Sequence, residues 1–365
     1  MTVNAAIAST NGDVLLESDK MALVGATNAG TANITVRPVN NATVIDLGST
    51  SNAAGGRLEL SSAELATLTA GIVKLGASGY TGGIEITDSV AIPNAAQVSM
   101  INNGSITATT GKTITTDKLN LHSYNGAVLL GGDAHAVNTV AGKSGTNQTF
   151  SFKAAGALTV ASVDINTGIN DGVNVASGLA SVESAGLLTV AGNVSGGSTG
   201  TVSLTGVGVT LGSTRTLSGN SVSLDGTTGA VNLGAGTVNA NVSAIVSGGT
   251  SVTLGNVTAG TSTTISGVSG VINQESGTTL NTSLLTAATT GGAITLGNSG
   301  NAIATLGSLS SPSGGITVLD GAGGLNVNNP ISAGTGAIDL RTSGGGMVTT
   351  SSGSMAGNGI TLKAA

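Results

Sequence analysis

A fixed spacing of twenty-two residues governs the last part of this sequence. Each repeat contains an isoleucine that begins an apolar–polar–apolar triplet directly after two small or turn-forming residues; these isoleucines are Ile294, Ile316, Ile338 and Ile360. A triplet in that position is the pattern of a short strand that follows a turn. Because periods of about 20 to 50 residues are typical of repeat architectures, the spacing predicts a solenoid in which each coil stacks on the next.

A second apolar position recurs in the same register. Ile303, Leu325 and Met347 each lie nine residues after one of the isoleucines, and they therefore follow one another at the same interval. Alternate side chains of a strand point to opposite sides, so we expect the outer two residues of each triplet to face inward and the central one, such as Thr295, to face outward. The two ladders together predict a narrow core of stacked aliphatic side chains.

The same period occurs earlier in the sequence, where Ile84, Ile106, Val128 and Phe150 follow one another at the identical interval and also open triplets. This part holds the aromatic residues and histidines of the chain, which are Tyr80, Tyr124, Phe150, Phe152, His122 and His135. Eight of the eleven Lys and Arg residues lie at or before Lys153. If the protein has a chemically active site, we expect it here.

Composition decides between a helical and a β solenoid. The sequence has 60 glycines, and each glycine inside a helix costs about 1 kcal/mol relative to alanine. At the corner of a coil, glycine instead adopts positive φ without a steric penalty. We therefore predict an all-β fold, a right-handed parallel β-helix (β-solenoid) with coils of about 20–22 residues, since right-handed crossovers are the physical default.

The domain organisation follows from the absence of breaks in the sequence. No proline-rich or strongly charged linker interrupts it, so we expect one continuous β-solenoid over residues 1–365. Residues 1–153 form a more charged and aromatic part, and residues 154–365 form a regular repeat part rich in Gly, Thr, Ser, Val and Asn.

One short stretch departs from the strand pattern. Residues 61–68 contain Ser61, Ser62 and Glu64 before a leucine-rich run. A serine followed by a glutamate two or three residues later is the signature of a capped helix N-terminus. A short helical turn is expected there, with either serine as its N-cap.

Charge and hydropathy exclude two classes of partner. The net charge of −6 and the absence of a Lys and Arg cluster leave no surface that could replace the counterions of a nucleic acid. No run of 18 apolar residues occurs, so we expect no transmembrane helix and no membrane insertion. Cysteine is absent, which is compatible with a secreted bacterial protein held together by coil stacking rather than by disulfides.

Two fragments resemble the end of a phosphate-binding loop, Gly111-Lys112-Thr113 and Gly142-Lys143-Ser144. The full motif needs a further glycine five residues before the glycine of each fragment. Ile106 and Val137 occupy those positions. We therefore expect both lysines to lie in surface turns, and we expect no cofactor.

Asp133, His135 and His122 come nearest to a set of metal ligands. A metal site needs three or four convergent ligands. His122 lies thirteen residues before His135, a little more than half of one coil, so the two histidines need not lie near each other. The sequence therefore predicts no metal site.

A carbohydrate-cleaving site is the alternative that the charged residues leave open. Glycoside cleavage uses two carboxyl groups that face each other across the bond. Glu85, Asp88 and Asp133 fall in neighbouring coils, and Lys112 lies between them. Paired surface charges are usually solvated ion pairs of little energetic consequence, so we expect no catalytic residue and interpret the apolar ladders as structural.

The triplets after Gly-Gly or Gly-Ala, with turns such as Asn11-Gly12-Asp13 and Gly270–Gln274, resemble the repeat shafts of filamentous haemagglutinin-type adhesins, which are bacterial exoproteins exported by two-partner secretion. Related repeat blocks also occur in autotransporter passengers. The resemblance implies a parallel β-helix that projects a binding tip from the cell surface, and an outer-membrane transporter for export. The secretion domain of that family carries Asn-Pro-Asn motifs, whereas Asn329-Pro330 here is followed by Ile331, so we expect an internal segment.

The function expected from these patterns is a non-catalytic, structural and adhesive shaft segment of a large secreted or cell-surface bacterial exoprotein. Its partners would be a glycan or protein receptor on a host cell or surface, and the neighbouring coils of a longer chain. Two alternatives remain: a polysaccharide lyase-like or hydrolase-like β-helix, and a filament or surface-layer protein that self-associates through uncovered coil ends.

Overall fold

The computed structural model describes residues 1–163 and 171–365. Their regular structure is almost wholly β, and parallel strands stack in a β-solenoid of about 16 turns with a spacing of about 22 residues, which confirms the predicted fold class. The protein divides into two compact units, unit 1 (Met1–Gly186 and Ala191–Asn193) and unit 2 (Leu187–Val190 and Val194–Ala365). Whether the solenoid is continuous from residue 1 to residue 365 stays a prediction.

Strands β1 to β19 are, in chain order, Thr2–Val3, Ile7–Ala8, Val14–Glu17, Ala22–Leu23, Thr27–Asn28, Asn33–Arg37, Val44–Leu47, Arg57–Leu60, Leu68–Gly76, Ile84–Ile86, Val90–Ala91, Ala95–Asn102, Ile106–Ala108, Ile114–Ser123, Val128–Ser144, Phe150–Ala154, Leu158–Val160, Gly172–Val175 and Leu179–Ser184. Strands β20 to β39 are Leu187–Val190, Asn193–Ser195, Thr201–Gly206, Gly208–Leu211, Thr216–Gly226, Val231–Asn232, Thr237–Gly248, Val252–Leu254, Asn256–Val268, Ile272–Gln274, Leu280–Thr289, Ile294–Leu296, Ala302–Ser310, Ile316–Asp320, Leu325–Val327, Ile331–Ser332, Ile338–Thr342, Met347–Thr349, Met355–Ala356 and Ile360–Lys363. The described residues also form a helix, α1 (Ser62–Leu65).

Unit 2 contains the isoleucine ladder. Ile294 pairs in register with Ile316, Ile316 with Ile338 and Ile338 with Ile360. The first three are buried and Thr295 is exposed, as the alternation of side chains along a strand requires. Burying one such side chain contributes about 1.5–3 kcal/mol, and each coil gains this mainly from its two neighbours.

Ile360 is the exception in this ladder, because 47% of its surface is exposed. Strand β39 pairs with β36 on one side, and among the described residues no strand covers its other edge. The apolar side chain is therefore stacked on one face only.

The second predicted ladder differs from the sequence expectation. Ile303 and Leu325 are both buried, but the register pairs Leu306 with Val327, one residue short of the repeat interval, so Ile303 and Leu325 are not register partners. The reason is that Thr305 follows Leu296 by nine positions, whereas Asn326 follows Val318 by eight, so the stretch that leads into the second strand is one residue longer in the first of these coils. Leu325 does pair with Met347, which is half-buried.

Unit 1 repeats the ladder around a bulkier core. Ile84 pairs with Ile106, Ile106 with Val128, and Val128 with Phe150, and all four are buried. On its other side Ile84 pairs with Ile45, an interval nearly twice the repeat. The longer interval accommodates β8, α1 and β9, so the period is lost where secondary structure is inserted into a coil.

Helix α1 confirms the predicted helical turn. The Ser61 hydroxyl accepts a hydrogen bond from the Glu64 N–H, and the Glu64 carboxylate accepts one from the Ser61 N–H. This reciprocal capping box satisfies two amide groups that a helix end would otherwise leave unpaired. None of the helices described is long and apolar enough to cross a membrane.

Buried hydroxyl groups close the coil corners of both units. The Ser123 Oγ donates to the Gly104 carbonyl at 2.6 Å, and the Ser311 Oγ donates to the Gly292 carbonyl at the same distance. Thr289 bonds the Gly270 carbonyl in the same way. A carbonyl that turns away from the ladder at a corner still needs a donor when it is buried, and a hydroxyl of the next coil supplies it.

Candidate functional site

The outer face of unit 1 carries the charged groups of the candidate site. The central residues of successive triplets form one outward column, in which Glu59 lies beside Asp46 and Asp46 lies beside Glu85. Three carboxylates thus stand on adjacent strands, about 4.8 Å apart along the stack. Such a row is stable only if cations or hydrogen-bond donors compensate the repulsion.

Arg57 compensates two of these carboxylates. Its Nη1 lies 3.0 Å from the Asp46 Oδ2 and 2.7 Å from the Glu85 Oε2. The hydrogen bond to Glu85 is the main reason that the pKa of Arg57 is raised. Asp46 also accepts a hydrogen bond from the Thr87 hydroxyl. Arg57 therefore links Glu85 of β10 to β8 across β7, and Asp46 lies beside Glu85 in the same column.

Glu59 is held by donors from the turn between β7 and β8. It is only 3% exposed, and its carboxylate accepts hydrogen bonds from the Ser49 hydroxyl, from the Ser51 hydroxyl at 2.7 Å and from the Ala54 N–H at 3.0 Å. The bond from Ser49 is the largest cause of the lowered pKa of Glu59. Sequence reasoning missed this residue, because its partners lie in a turn without a recognisable motif.

The remaining candidate carboxylates lie outside the column, Asp88 in the bend after β10 and Asp133 in the bulged part of β15. Lys112 Nζ donates to the Asp88 Oδ1 at 2.8 Å, and this bond is the main cause of the lowered pKa of Asp88. Asp133 Oδ2 accepts a hydrogen bond from the Gly111 N–H at 2.7 Å. The four residues of the carbohydrate hypothesis are therefore split between Glu85 with Arg57, Asp88 with Lys112, and Asp133 with the main chain.

His135 lies in a β-bulge of β15, where the pairing with β16 shifts register. Its Nδ1 accepts a hydrogen bond from the Ile114 N–H at 3.1 Å, and its Nε2 lies 3.0 Å from the Leu130 carbonyl oxygen. This pattern requires the neutral tautomer with the proton on Nε2. Burial is the main cause of the lowered pKa of His135. Both ring nitrogens are thus committed to the backbone of unit 1.

His122 is also fully buried, on the outer side of β14. Its ring stacks on Tyr124 with 4.2 Å between ring centres, and Lys143 is its register partner on β15. Neither ring nitrogen has a hydrogen-bond partner among the described residues. Burial, and then the charge of Lys143, lower its pKa to about 4, so the ring is neutral near pH 7.

The described residues give no arrangement of metal ligands. They contain no group of three or more His, Cys, Asp or Glu side chains placed to hold a metal ion. His135 faces backbone groups, and His122 faces an aromatic ring and a lysine.

The two phosphate-loop fragments have structural explanations. Gly142 lies inside β15, where a Cβ would lie 2.1 Å from the Cε2 of Phe150, so the aromatic core requires a glycine. Gly111 has φ +80° in a turn, a conformation that favours glycine. Both glycines are thus explained by packing and turn geometry. Lys112 lies in a turn as expected, but the expectation for Lys143 is wrong, because this residue lies within β15.

Two open grooves lie on the outer surface of unit 1. One, of about 350 Å³, is lined by Lys74, Ser78, Ile101 and Tyr124 with their neighbours. The other, of about 560 Å³, follows a coil corner and includes Asp117, whose carboxylate accepts a hydrogen bond from the Asn138 amide at 2.9 Å.

Unit 2 holds its buried polar groups inside the coil corners. Asn301 is fully buried; it accepts hydrogen bonds from Gln274 at 2.7 Å and from the Leu280 N–H at 2.9 Å. Asp320 is also fully buried and accepts one from the Ile303 N–H at 2.9 Å. These groups satisfy backbone and side-chain polar atoms at corners. Sequence reasoning missed them, since Asn and Asp are equally common in exposed turns.

Comparison with models of protein families, with curated proteins and with solved structures finds no match for this protein. The architecture itself identifies a β-helix repeat protein.

Proposed function

We propose that this protein is a non-catalytic structural and adhesive segment of a filamentous haemagglutinin-type bacterial exoprotein. In this proposal the stacked coils extend and display a binding surface outside the cell, an outer-membrane transporter exports the protein, and a surface glycan or protein is the receptor. The resemblance of the repeat pattern supplies the family, the location and the transporter.

The supporting observation is the use made of the charged residues in unit 1. Arg57 of β8 bridges across β7 to Glu85 of β10, and two further bonds, Lys112 to Asp88 and Lys153 Nζ to Glu183 Oε1 at 2.7 Å, join successive coils. A catalytic carboxylate must be free to contact the substrate and needs a second carboxyl at a set distance. Groups already paired across coils are better suited to fixing the stack.

The outward positions of unit 2 fit a display role. Ser221, Ser243 and Ser262 are register partners on successive coils, and none of the three is buried or charged. Neutral hydroxyl-bearing surfaces present hydrogen-bond donors and acceptors without strong electrostatic steering. A receptor would then be recognised through many weak contacts along successive coils.

The test compares the original protein with a variant that carries Glu85→Gln, Asp88→Asn and Asp133→Asn. We expect neither protein to cleave neutral or acidic polysaccharides, and beads coated with either protein to adhere equally to host cells. If the original protein cleaves a polysaccharide and the variant does not, the proposal is contradicted and a carbohydrate-active β-helix is favoured. If beads coated with either protein adhere no better than uncoated beads, the adhesive part of the proposed function is wrong.

A further inference from the structure

The sequence contains four Asn-Gly pairs, which begin at Asn11, Asn103, Asn125 and Asn358. An Asn-Gly pair can rearrange without an enzyme, because glycine has no side chain to block its amide nitrogen. The rearrangement requires a free asparagine side chain and a glycine N–H that is not held in a hydrogen bond. The structure gives the four pairs different hydrogen bonds.

We propose that Asn358–Gly359 is a site of spontaneous deamidation that the fold of unit 2 leaves open, while the fold of unit 1 protects Asn125–Gly126. In the reaction the Gly359 nitrogen forms a bond to the Asn358 Cγ. The bond between that Cγ and the Nδ2 breaks, and ammonia leaves with the proton of the Gly359 amide. Solvent water then opens the resulting succinimide to aspartate or isoaspartate.

The coil register of unit 2 keeps the Gly359 amide free. In successive coils, the carbonyl oxygen of the residue just before the strand accepts a hydrogen bond from the preceding coil. The donors in the preceding coils are the N–H groups of Ile294, Ile316 and Ile338. At Ala337 and at Gly359, the N–H of this residue has no hydrogen-bond partner among the described residues. The free amide is therefore a property of this corner in general.

Asn358 is the residue that makes this corner reactive. The equivalent positions one, two and three coils earlier are Gly336, Gly314 and Gly292, which have no side-chain amide. The Asn358 amide group is exposed and has no hydrogen-bond partner in the described parts of the protein. Gly359 has φ +124°, and the nearest atom to a Cβ placed there is the Ala337 Cβ at 4.0 Å, so no neighbouring side chain crowds the glycine.

Asn125–Gly126 is the matched control in unit 1. The Gly126 N–H donates to the Ser123 Oγ at 2.8 Å, and the Asn125 Nδ2 donates to the Asn103 Oδ1 at 2.6 Å. Both bonds must break before the Gly126 nitrogen can reach the Asn125 Cγ. Two such bonds slow the reaction by about tenfold or more.

The experiment incubates the folded protein in mildly alkaline buffer and follows each Asn-Gly peptide by mass spectrometry, with isoaspartate detected by an isoaspartyl methyltransferase. We expect the Asn358 peptide to convert at least about tenfold faster than the Asn125 peptide. In denaturant the two rates should become similar. Equal rates in the folded protein, or a difference that persists in denaturant, would overturn the proposal.

Two variants give a second test. Asn358→Gln should abolish the fast conversion, because the longer glutamine forms a less favourable ring. Ser123→Ala should raise the rate at Asn125 several-fold, because it frees the Gly126 N–H; an unchanged rate would show that this hydrogen bond is not the protection.

Discussion

Units 1 and 2 build the same stacked parallel strands by different means. Unit 2 has aliphatic ladders inside and mostly small uncharged residues outside, and its pairings β24–β26, β28–β30 and β30–β32 each contain a register shift. Unit 1 interrupts the register with β8, α1 and a β-bulge, and it holds the irregular coils with ion pairs, aromatic rings and buried histidines. The comparison teaches that a charged residue in such a fold can tie strands together, as Arg57 does, so charged residues are not by themselves evidence of catalysis.

The largest loss of stability should come from truncating one buried side chain in each core ladder. Phe150→Ala in unit 1 should lower the free energy of unfolding by about 3–5 kcal/mol, and Ile316→Ala in unit 2 by about 2–5 kcal/mol, because both side chains are fully buried. Chemical denaturation measures both changes. A loss of less than about 1 kcal/mol at either position would contradict the proposed core.

Acid should weaken unit 1 more than unit 2. The folded-state pKa of His122 is about 4, below the ordinary 6.5. Below pH 6.5 the unfolded protein therefore binds a proton that the folded protein does not, and the free energy of unfolding falls until about pH 4. The loss from His122 is about 3 kcal/mol. His135 adds a loss in the same direction, since its pKa is also lowered.

The acid effect is measured by denaturation at several pH values, together with hydrogen exchange that reports on each unit. His122→Leu should remove the part of the dependence between pH 6.5 and about pH 4 that His122 contributes and leave the part from His135, and it breaks no hydrogen bond of the ring within the described residues. Both histidines of the sequence lie in unit 1. An equal loss of protection in unit 2 over this range would therefore contradict the assignment to the histidines.

The corner hydroxyls allow a matched test in the two units. Ser123→Ala and Ser311→Ala each remove a donor from the carbonyl of a half-buried glycine that lies 2.6 Å away. Each should cost about 0.5–1.5 kcal/mol, the net contribution of a typical hydrogen bond. Thermal unfolding of the two variants measures this. If only the Ser123 variant loses stability, the corner is not a shared feature of both units.

The smallest effect on stability should come from breaking the ion pair between Arg57 and Glu85. Both side chains are partly exposed, so a double-mutant cycle with Arg57→Met and Glu85→Gln should give a coupling of about 0.2–1 kcal/mol. The coupling should shrink as salt is added. A coupling above about 2 kcal/mol, or one that salt does not change, would show that the pair is more buried than the structure shows.

The periodic core could be predicted from the sequence because one signal decides it. Ile294, Ile316 and Ile338 recur at a fixed interval, and stacking identical apolar side chains is the packing that uses that interval. The capping box of α1 was also predictable, since Ser61 and Glu64 satisfy each other locally. The predicted pairing of Ile303 with Leu325 was wrong because the stretch between Leu296 and Thr305 is one residue longer than its counterpart in the next coil.

The environment of the charged and histidine residues could not be predicted in the same way. Arg57 reaches Glu85 from a strand inserted 28 residues earlier, and no local pattern indicates that contact. Both ring nitrogens of His135 face backbone groups of other segments, which periodicity does not specify. Residue type alone suggested chemistry, whereas the partners that decide its role depend on the tertiary fold.

The central claim is that the charged side chains of unit 1 fix the stacked coils. The most direct test is hydrogen exchange of the intact protein that carries Glu85→Gln, Asp88→Asn and Asp133→Asn. If these carboxylates fix the stacked coils, amide protection should fall in β10, β13 and β14 of unit 1 and stay unchanged in the strands of unit 2. Unchanged protection throughout, together with loss of a polysaccharide-cleaving activity, would contradict the account and identify these residues as a catalytic site.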